Sequence, residues 1–184
     1  NPGTSALTSS HERLRITSTG NIGLNESAPY YKLHMVFNND TTSFSGGTSG
    51  AWGGDGIRIE NTNTTVGSMS LVHFRNYDAD WHIGSKYVGT NSAHFVFNHE
   101  SSERLRVTST GEVLPGADAT QDLGSATKRW ANIYSADLQL SNEGSSNDVD
   151  GTWGNYTIQE GEDDLFLINR RSGKTYKFNL TEVA

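Results

Sequence analysis

The sequence predicts an all-β protein made of short strands and turns, with a core that is shared between chains. Several segments alternate apolar and polar residues strictly, which is the period-two pattern of a half-buried strand. Gly, Ser, Thr and Asn dominate between these segments, and residues that favour helices are scarce. Leu, Ile, Val and Phe make up only 37 of 184 residues, yet 18 aromatic residues are present. A thin core of this kind favours burial between chains over disorder.

Composition and charge exclude several classes of function. The net charge of −7 and the scattered Lys and Arg residues argue against a nucleic-acid partner, which requires clustered positive charge. Cysteine is absent, so disulfides and thiolate metal sites are excluded. No apolar run approaches the roughly 20 residues that cross a bilayer, and we therefore expect no membrane insertion.

A near-duplicate segment organises the chain. Residues 11–20 (HERLRITSTG) recur 91 positions later as residues 102–111 (SERLRVTSTG). In each copy, Leu and Ile or Val alternate with Arg, and the Thr-Gly pair that follows is typical of a turn. Each copy therefore predicts a small β-hairpin.

Further strands are predicted between the two copies. The alternating segments there are residues 31–37, 56–60, 70–75, 81–84 and 93–98. The Gly-rich stretch over residues 45–56 contains neither GxxxxGK[ST] nor GxGxxG, so it is not a phosphate-binding loop.

The C-terminal third predicts a small sheet. Ser125 is a candidate N-cap for one or two helical turns over residues 126–133. Residues 164–170 and 174–180 alternate around Ser172-Gly173, which is a two-residue hairpin signal. A third strand is expected over residues 156–158.

Two strings resemble units of a known family. ERLRITSTGNIGL followed by SAPYYKLH resembles a repeated unit of bacteriophage tail-fibre and appendage proteins of the marine type. DLGSATKRWANIY, over residues 122–134, is similar to a second unit of the same proteins. One departure concerns Asn25, which stands where the first unit usually has Gly.

This resemblance implies an elongated homotrimeric fibre on the outside of a virion. Its expected partners are other virion tail or baseplate proteins and a host surface glycan or outer-membrane protein, with no cofactor. The implied organisation is a shaft-type β unit (1–24), a central β-rich domain (25–100), a second shaft-type unit (101–140) and a C-terminal β-hairpin tip (141–184).

Aromatic residues beside carboxylates are the candidate receptor-binding or glycan-binding residues. Ring faces stack on the C–H surfaces of sugars, and neighbouring polar groups bind hydroxyls. Packing at the trimer axis is the competing interpretation of these rings, and it is preferred for Trp130. The candidates are Trp52, Tyr77, Asp78, Asp80, Trp81, Tyr87 and Trp153.

Neither catalytic nor metal-ligating residues are predicted. The sequence has no GxSxG, HExxH or His-x-His motif, and its acidic clusters lack an EF-hand pattern. One alternative is a tailspike-like glycan depolymerase that uses carboxylates such as Asp78 and Asp80. A second is a head or baseplate decoration fibre with only an assembly role.

Overall fold

The computed structural model describes residues 13–37 and 56–183. These residues form twelve strands in three sheets and contain no helix, so the predicted all-β class is confirmed for this part of the chain. The chain divides into two compact units, Asn1–Gln121 and Asp122–Ala184.

The first sheet has three short strands. β1 (Leu14–Ile16) and β2 (Ile22–Leu24) form an antiparallel hairpin, and β3 (Leu33–Met35) runs parallel to β2. Residues that pair across strands point to the same side of a sheet. One face of this sheet therefore consists of Leu14, Ile16, Ile22, Leu24, Leu33 and Met35.

The second sheet is a five-stranded antiparallel meander in chain order. The register shifts once between β5 and β6 and once between β6 and β7, as β-bulges do. Its strands are β4 (Met69–Asn76), β5 (Ala79–Gly89), β6 (Ser92–His99), β7 (Ser102–Val107) and β8 (Val113–Pro115).

The two faces of the five-stranded sheet differ in chemistry. The face we call the apolar face carries Val72, Phe74, Trp81, Ile83, Phe95, Phe97, Leu105, Val107 and Val113. The opposite side, which we call the polar face, carries His73, Arg75, Asp80, His82, Lys86, Asn98, Glu103 and Arg106.

The second unit contains a four-stranded antiparallel meander whose two faces both carry apolar side chains, since Phe166 and Ile168 lie on the face of Thr157. Its strands are β9 (Asp137–Ser141), β10 (Asn155–Glu160), β11 (Leu165–Asn169) and β12 (Thr175–Lys177). One face carries Leu138, Leu140, Tyr156, Ile158, Leu165, Leu167 and Tyr176. On the other face the buried Thr157 hydroxyl donates to Gln139 and accepts from Arg170.

Very little apolar surface is buried among the described residues. Among the described residues, Val96 is the one hydrophobic side chain in the buried class. The aromatic and aliphatic side chains on the faces of all three sheets are mostly exposed or half-buried. Each sheet therefore has the alternation of a half-buried sheet, while its apolar side is left largely uncovered.

The two copies of the repeat form the same hairpin. In each, the Thr that begins the turn exchanges backbone hydrogen bonds across it, and the turn Gly adopts a positive φ of 75° or 99°. The Thr hydroxyl also accepts a hydrogen bond from the backbone N–H four residues later. The equivalent residues are Thr17 and Thr108, Gly20 and Gly111, and Asn21 and Glu112.

Asn25 follows the first hairpin, at the position where the resemblance led us to expect Gly, and it forms the turn there. Its φ is 56°, a left-handed conformation that Asn tolerates better than most residues. The Asn25 side chain accepts a hydrogen bond from Arg13 at 2.6 Å and donates one to the Val36 carbonyl at 3.2 Å. These contacts compensate for the missing Gly by linking β1 to the segment after β3.

The two hairpins use different edge strands to pair with the rest of their sheets. The first pairs through β2 with β3, whereas the second pairs through β7 with β6. The boundary expected at residues 100/101 therefore falls in the β6–β7 turn, where Glu100 has a φ of 53°. The second copy is continuous with the central sheet, because backbone pairing extends across that turn.

Other differences concern local structure in the predicted elements. Residues 57–60 do not form a strand, and residues 126–133 do not form a helix. Ser125 instead closes a short turn, with its side chain accepting the Lys128 N–H at 3.0 Å. The hairpin around Ser172-Gly173 is present, and β9 gives the terminal sheet a fourth strand that was not predicted.

Gly84→Ala is expected to destabilise the five-stranded sheet. A Cβ at Gly84 would lie 2.1 Å from the Ser70 carbonyl oxygen in β4, so the strands must separate. Gly89→Ala is the matched control, because Gly89 has nearly the same φ and no heavy atom within 4 Å of an added Cβ. Urea unfolding at a fixed chain concentration should show Gly84→Ala less stable than the control by about 1–3 kcal/mol or more. Equal midpoints would contradict the β4–β5 register.

Candidate functional site

The β4–β5 hairpin brings four of the seven candidate receptor-binding residues together. Tyr77 and Asp78 form its turn, and Asp80 and Trp81 lie at the start of β5. Tyr77 is 91% exposed and has a φ of 58°. Non-glycine residues adopt this conformation infrequently. The turn of this hairpin therefore carries the exposed ring of Tyr77 and, at the next residue, the carboxylate of Asp78.

The other three candidates lie elsewhere. Tyr87 is six residues beyond Trp81 in β5, which corresponds to about 20 Å along a strand. Trp153 belongs to the second unit, where the Arg171 guanidinium lies 4.1 Å from its ring centroid. Trp52 lies outside the described residues. The structure therefore places four of the seven residues on one hairpin, where Asp80 and Trp81 face opposite sides of the sheet, and it does not assemble all seven.

Trp81 and Tyr87 point to the apolar side of the sheet. Trp81 pairs across strands with Phe74 and His99, and its ring centroid lies 5.0 Å from that of His99. The same face continues through the Phe95 and Phe97 rings, which are 5.4 Å apart. Packing against another apolar surface therefore competes with sugar contact at Trp81 and Tyr87, whereas Tyr77 stands at the tip.

Asp80 is held on the polar face as an ionised carboxylate. His73 Nε2 lies 2.9 Å from Oδ1, and Arg75 lies 3.4 Å from Oδ2. The hydrogen bond with His73 is the main cause that lowers the pKa of Asp80, and the positive charge of Arg75 acts in the same direction. A general acid in a glycosidase requires a raised pKa. The geometry of Asp80 therefore suits a structural ion pair rather than that role.

The polar face contains a network that the sequence did not indicate as a site. The His73 and His82 rings stack with centroids 4.4 Å apart and an angle of 15° between their planes. Glu103 binds both Lys86 and Arg106. The alternating sequence predicts that these residues lie on the face opposite the apolar ones. Only the pairing of strands shows which of them are neighbours.

Neither a metal site nor a known relative indicates what the polar face binds. In the part of the chain that the structure describes, no three His, Asp or Glu side chains are grouped closely enough to hold a metal ion. The same residues contain no helix that is long and apolar enough to cross a membrane. No protein-family model, curated protein or solved structure matches this chain.

Asp80→Asn is expected to lower the urea midpoint at pH 7. Because the pKa of Asp80 is lowered in the folded state, its stabilising effect is present above the unfolded-state value of about 3.9. This stabilisation is lost as the pH falls through the folded-state pKa, so the difference from the wild type should shrink as the pH falls below about 4. Asp78→Asn, at the exposed neighbouring turn position, is the control and should change little. A difference that stays constant from pH 7 to pH 2 would contradict the ion-pair assignment.

Proposed function

We propose that this chain is a non-catalytic structural segment of a virion fibre of the bacteriophage tail-fibre type. It acts as a homotrimer on the outside of the virion and contributes to attachment to a glycan or outer-membrane protein on the host surface. The observation that carries this proposal is the largely uncovered apolar face of the five-stranded sheet. The likeness of the two repeated strings to tail-fibre units supports the same assignment.

The apolar face leaves several large side chains exposed to water. It includes the exposed rings of Phe74, Trp81 and Phe95 and continues through Leu105 to Val113. Burial of one such side chain stabilises a structure by about 1.5–3 kcal/mol. Extended apolar patches on soluble proteins usually mark interaction surfaces. Further copies of the same chain fit best, because each brings an equivalent apolar face.

The polar face is suited to the outside of such an assembly. Its charges are paired in place, as in the Glu103 contacts with Lys86 and Arg106, so they need no partner chain. With the apolar side buried between chains, Tyr77 and Asp78 remain accessible at the tip of each β4–β5 hairpin. Three weak sites on one trimer gain avidity from their linkage.

The two alternatives differ from this proposal in measurable ways. A glycan depolymerase would release reducing ends from host polysaccharide, but the ion-paired Asp80 lacks the property of a general acid. A decoration fibre with only an assembly role would form oligomers without binding host cells. Adsorption measurements therefore separate attachment from assembly.

Phe95→Ser is expected to disrupt the trimer. In solution the wild-type chain should have three times its mass of 20.1 kDa by light scattering, whereas the variant should shift towards the monomer. Phe95 is 46% exposed on the apolar face, and Leu114 is 41% exposed on the opposite side of the same sheet. Leu114→Ser is therefore the matched control and should keep the trimer mass. A monomeric wild type, or equal behaviour of the two variants, would refute the shared core.

Tyr77→Ala is expected to weaken attachment without changing assembly. Purified trimer added to host cells before the virion should reduce adsorption, and the variant should require at least about tenfold more protein, because each trimer loses three contacts. Tyr134→Ala is the control, since Tyr134 is 94% exposed but lies in the second unit. If wild-type trimer does not compete with the virion, the attachment role is wrong.

A further inference from the structure

A groove on the polar face of the five-stranded sheet has the features of a small binding site. It has a volume of about 310 Å³, near the lower end of the size range of small-molecule sites. Met69 and Leu71 from β4 give it an apolar side, and Lys86, Asn98 and Glu103 bring polar groups from the next three strands. Ser101, in the β6–β7 turn, lies at its exposed edge.

Asn98 is the residue that points to a ligand. It is only 9% exposed, yet its Nδ2 has a single partner, the Met69 sulfur at 3.8 Å, which is a weak acceptor. Among the described residues, no group donates to Asn98 Oδ1. Asn98 Oδ1 is also not sealed inside the sheet, since the sealed side-chain atom without a partner among the described residues is His34 Nδ1. The Asn98 amide therefore lines the groove with both a donor and an acceptor that the protein leaves largely unused.

The local backbone explains how this amide comes to line a groove. The pairing of β6 with β7 shifts register between Phe97 and Asn98, so that β7 carries one extra residue at this point. A β-bulge bends a strand and changes the direction of neighbouring side chains, and bulges are frequent next to functional sites. Asn98 then pairs with Glu103, whose carboxylate contacts Lys86 at 3.3 Å.

The charges favour a neutral ligand rich in hydroxyl groups. Lys86 is paired with Glu103, and a second carboxylate, Glu100, also lines the groove and accepts the Asp80 N–H. The carboxylates of Glu100 and Glu103 would repel an anionic ligand. In the described part of the chain no metal-binding group of three side chains exists, so a bound cation is not indicated either. A sugar ring offers hydroxyls to the amide and charged groups and a C–H face to Met69 and Leu71.

We propose that this groove binds one neutral hexopyranose unit. The assignment of this sugar to a host-surface glycan rests on the proposed attachment function. The groove lies on the polar face, opposite the surface proposed to join the chains, so assembly leaves it open. Each trimer would then offer three equivalent sugar sites besides the hairpin tips.

Saturation-transfer NMR with the full-length chain tests the proposal. The probes are the methyl glycosides of glucose, galactose and mannose, and at least one should receive magnetisation from the wild-type protein. Ser101→Trp should fill the groove from an exposed turn and weaken that binding at least tenfold. Thr90→Trp, in the exposed turn at the opposite end of the sheet, is the control and should bind like the wild type. No transfer to any of the three glycosides, or equal binding by the two variants, would overturn the proposal.

Asn98→Leu separates a binding role from a structural one. Leu has nearly the same size, so the variant should melt at or above the wild-type temperature while its affinity for the hexoside falls at least tenfold. A lower melting temperature with unchanged affinity would assign Asn98 to the fold and refute its role in binding. The mass of the wild-type trimer is measured in parallel. Retained trimer and adsorption without sugar binding would refute the groove alone, whereas a monomer would refute the fibre assignment.

Discussion

Burial of apolar surface is the constraint on which the rest of this structure depends. Each sheet gathers most of its large apolar side chains on one side, although Leu71, Val96 and Leu114 lie on the polar face of the five-stranded sheet; among the described residues Val96 is the one buried hydrophobic side chain. Backbone hydrogen bonds define the sheets, but they contribute little net stability unless apolar surface is also removed from water. The fold of each sheet and its association with a partner surface are therefore coupled in the function that we propose.

Repetition of one hairpin provides the local framework. Both copies use the same Thr hydroxyl and the same Gly conformation to close the turn, although their surroundings differ. In one copy the outer edge of the second strand is occupied by β3; in the other, the outer edge of the first strand is occupied by β6. Asn25 closes the segment after the first copy, because its side chain bonds to Arg13 and Val36 while its backbone adopts a φ of 56°.

In the function that we propose, the two faces of the five-stranded sheet divide assembly from recognition. Trp81 lies with Phe74 and His99 on the apolar side, whereas Asp80, its neighbour in sequence, is tied to His73 and Arg75 on the other. Adjacent residues in one strand thus belong to different surfaces. This separation leaves the hairpin tip at Tyr77 and the groove at Asn98 as the places where a ligand can meet the sheet without competing with neighbouring chains.

The sequence by itself determined the all-β class, the two equivalent hairpins, most of the central strands and the terminal hairpin. These features follow from period-two alternation and turn chemistry, which act within a few residues. Only the tertiary structure decided that the second repeat joins the central sheet, that residues 126–133 form no helix, and that His73 forms a hydrogen bond with Asp80. It alone showed the largely unpartnered amide of Asn98. The position of the second repeat, the Asp80 contact and the Asn98 environment depend on strand register, which pairs residues of different strands and cannot be derived from any one segment.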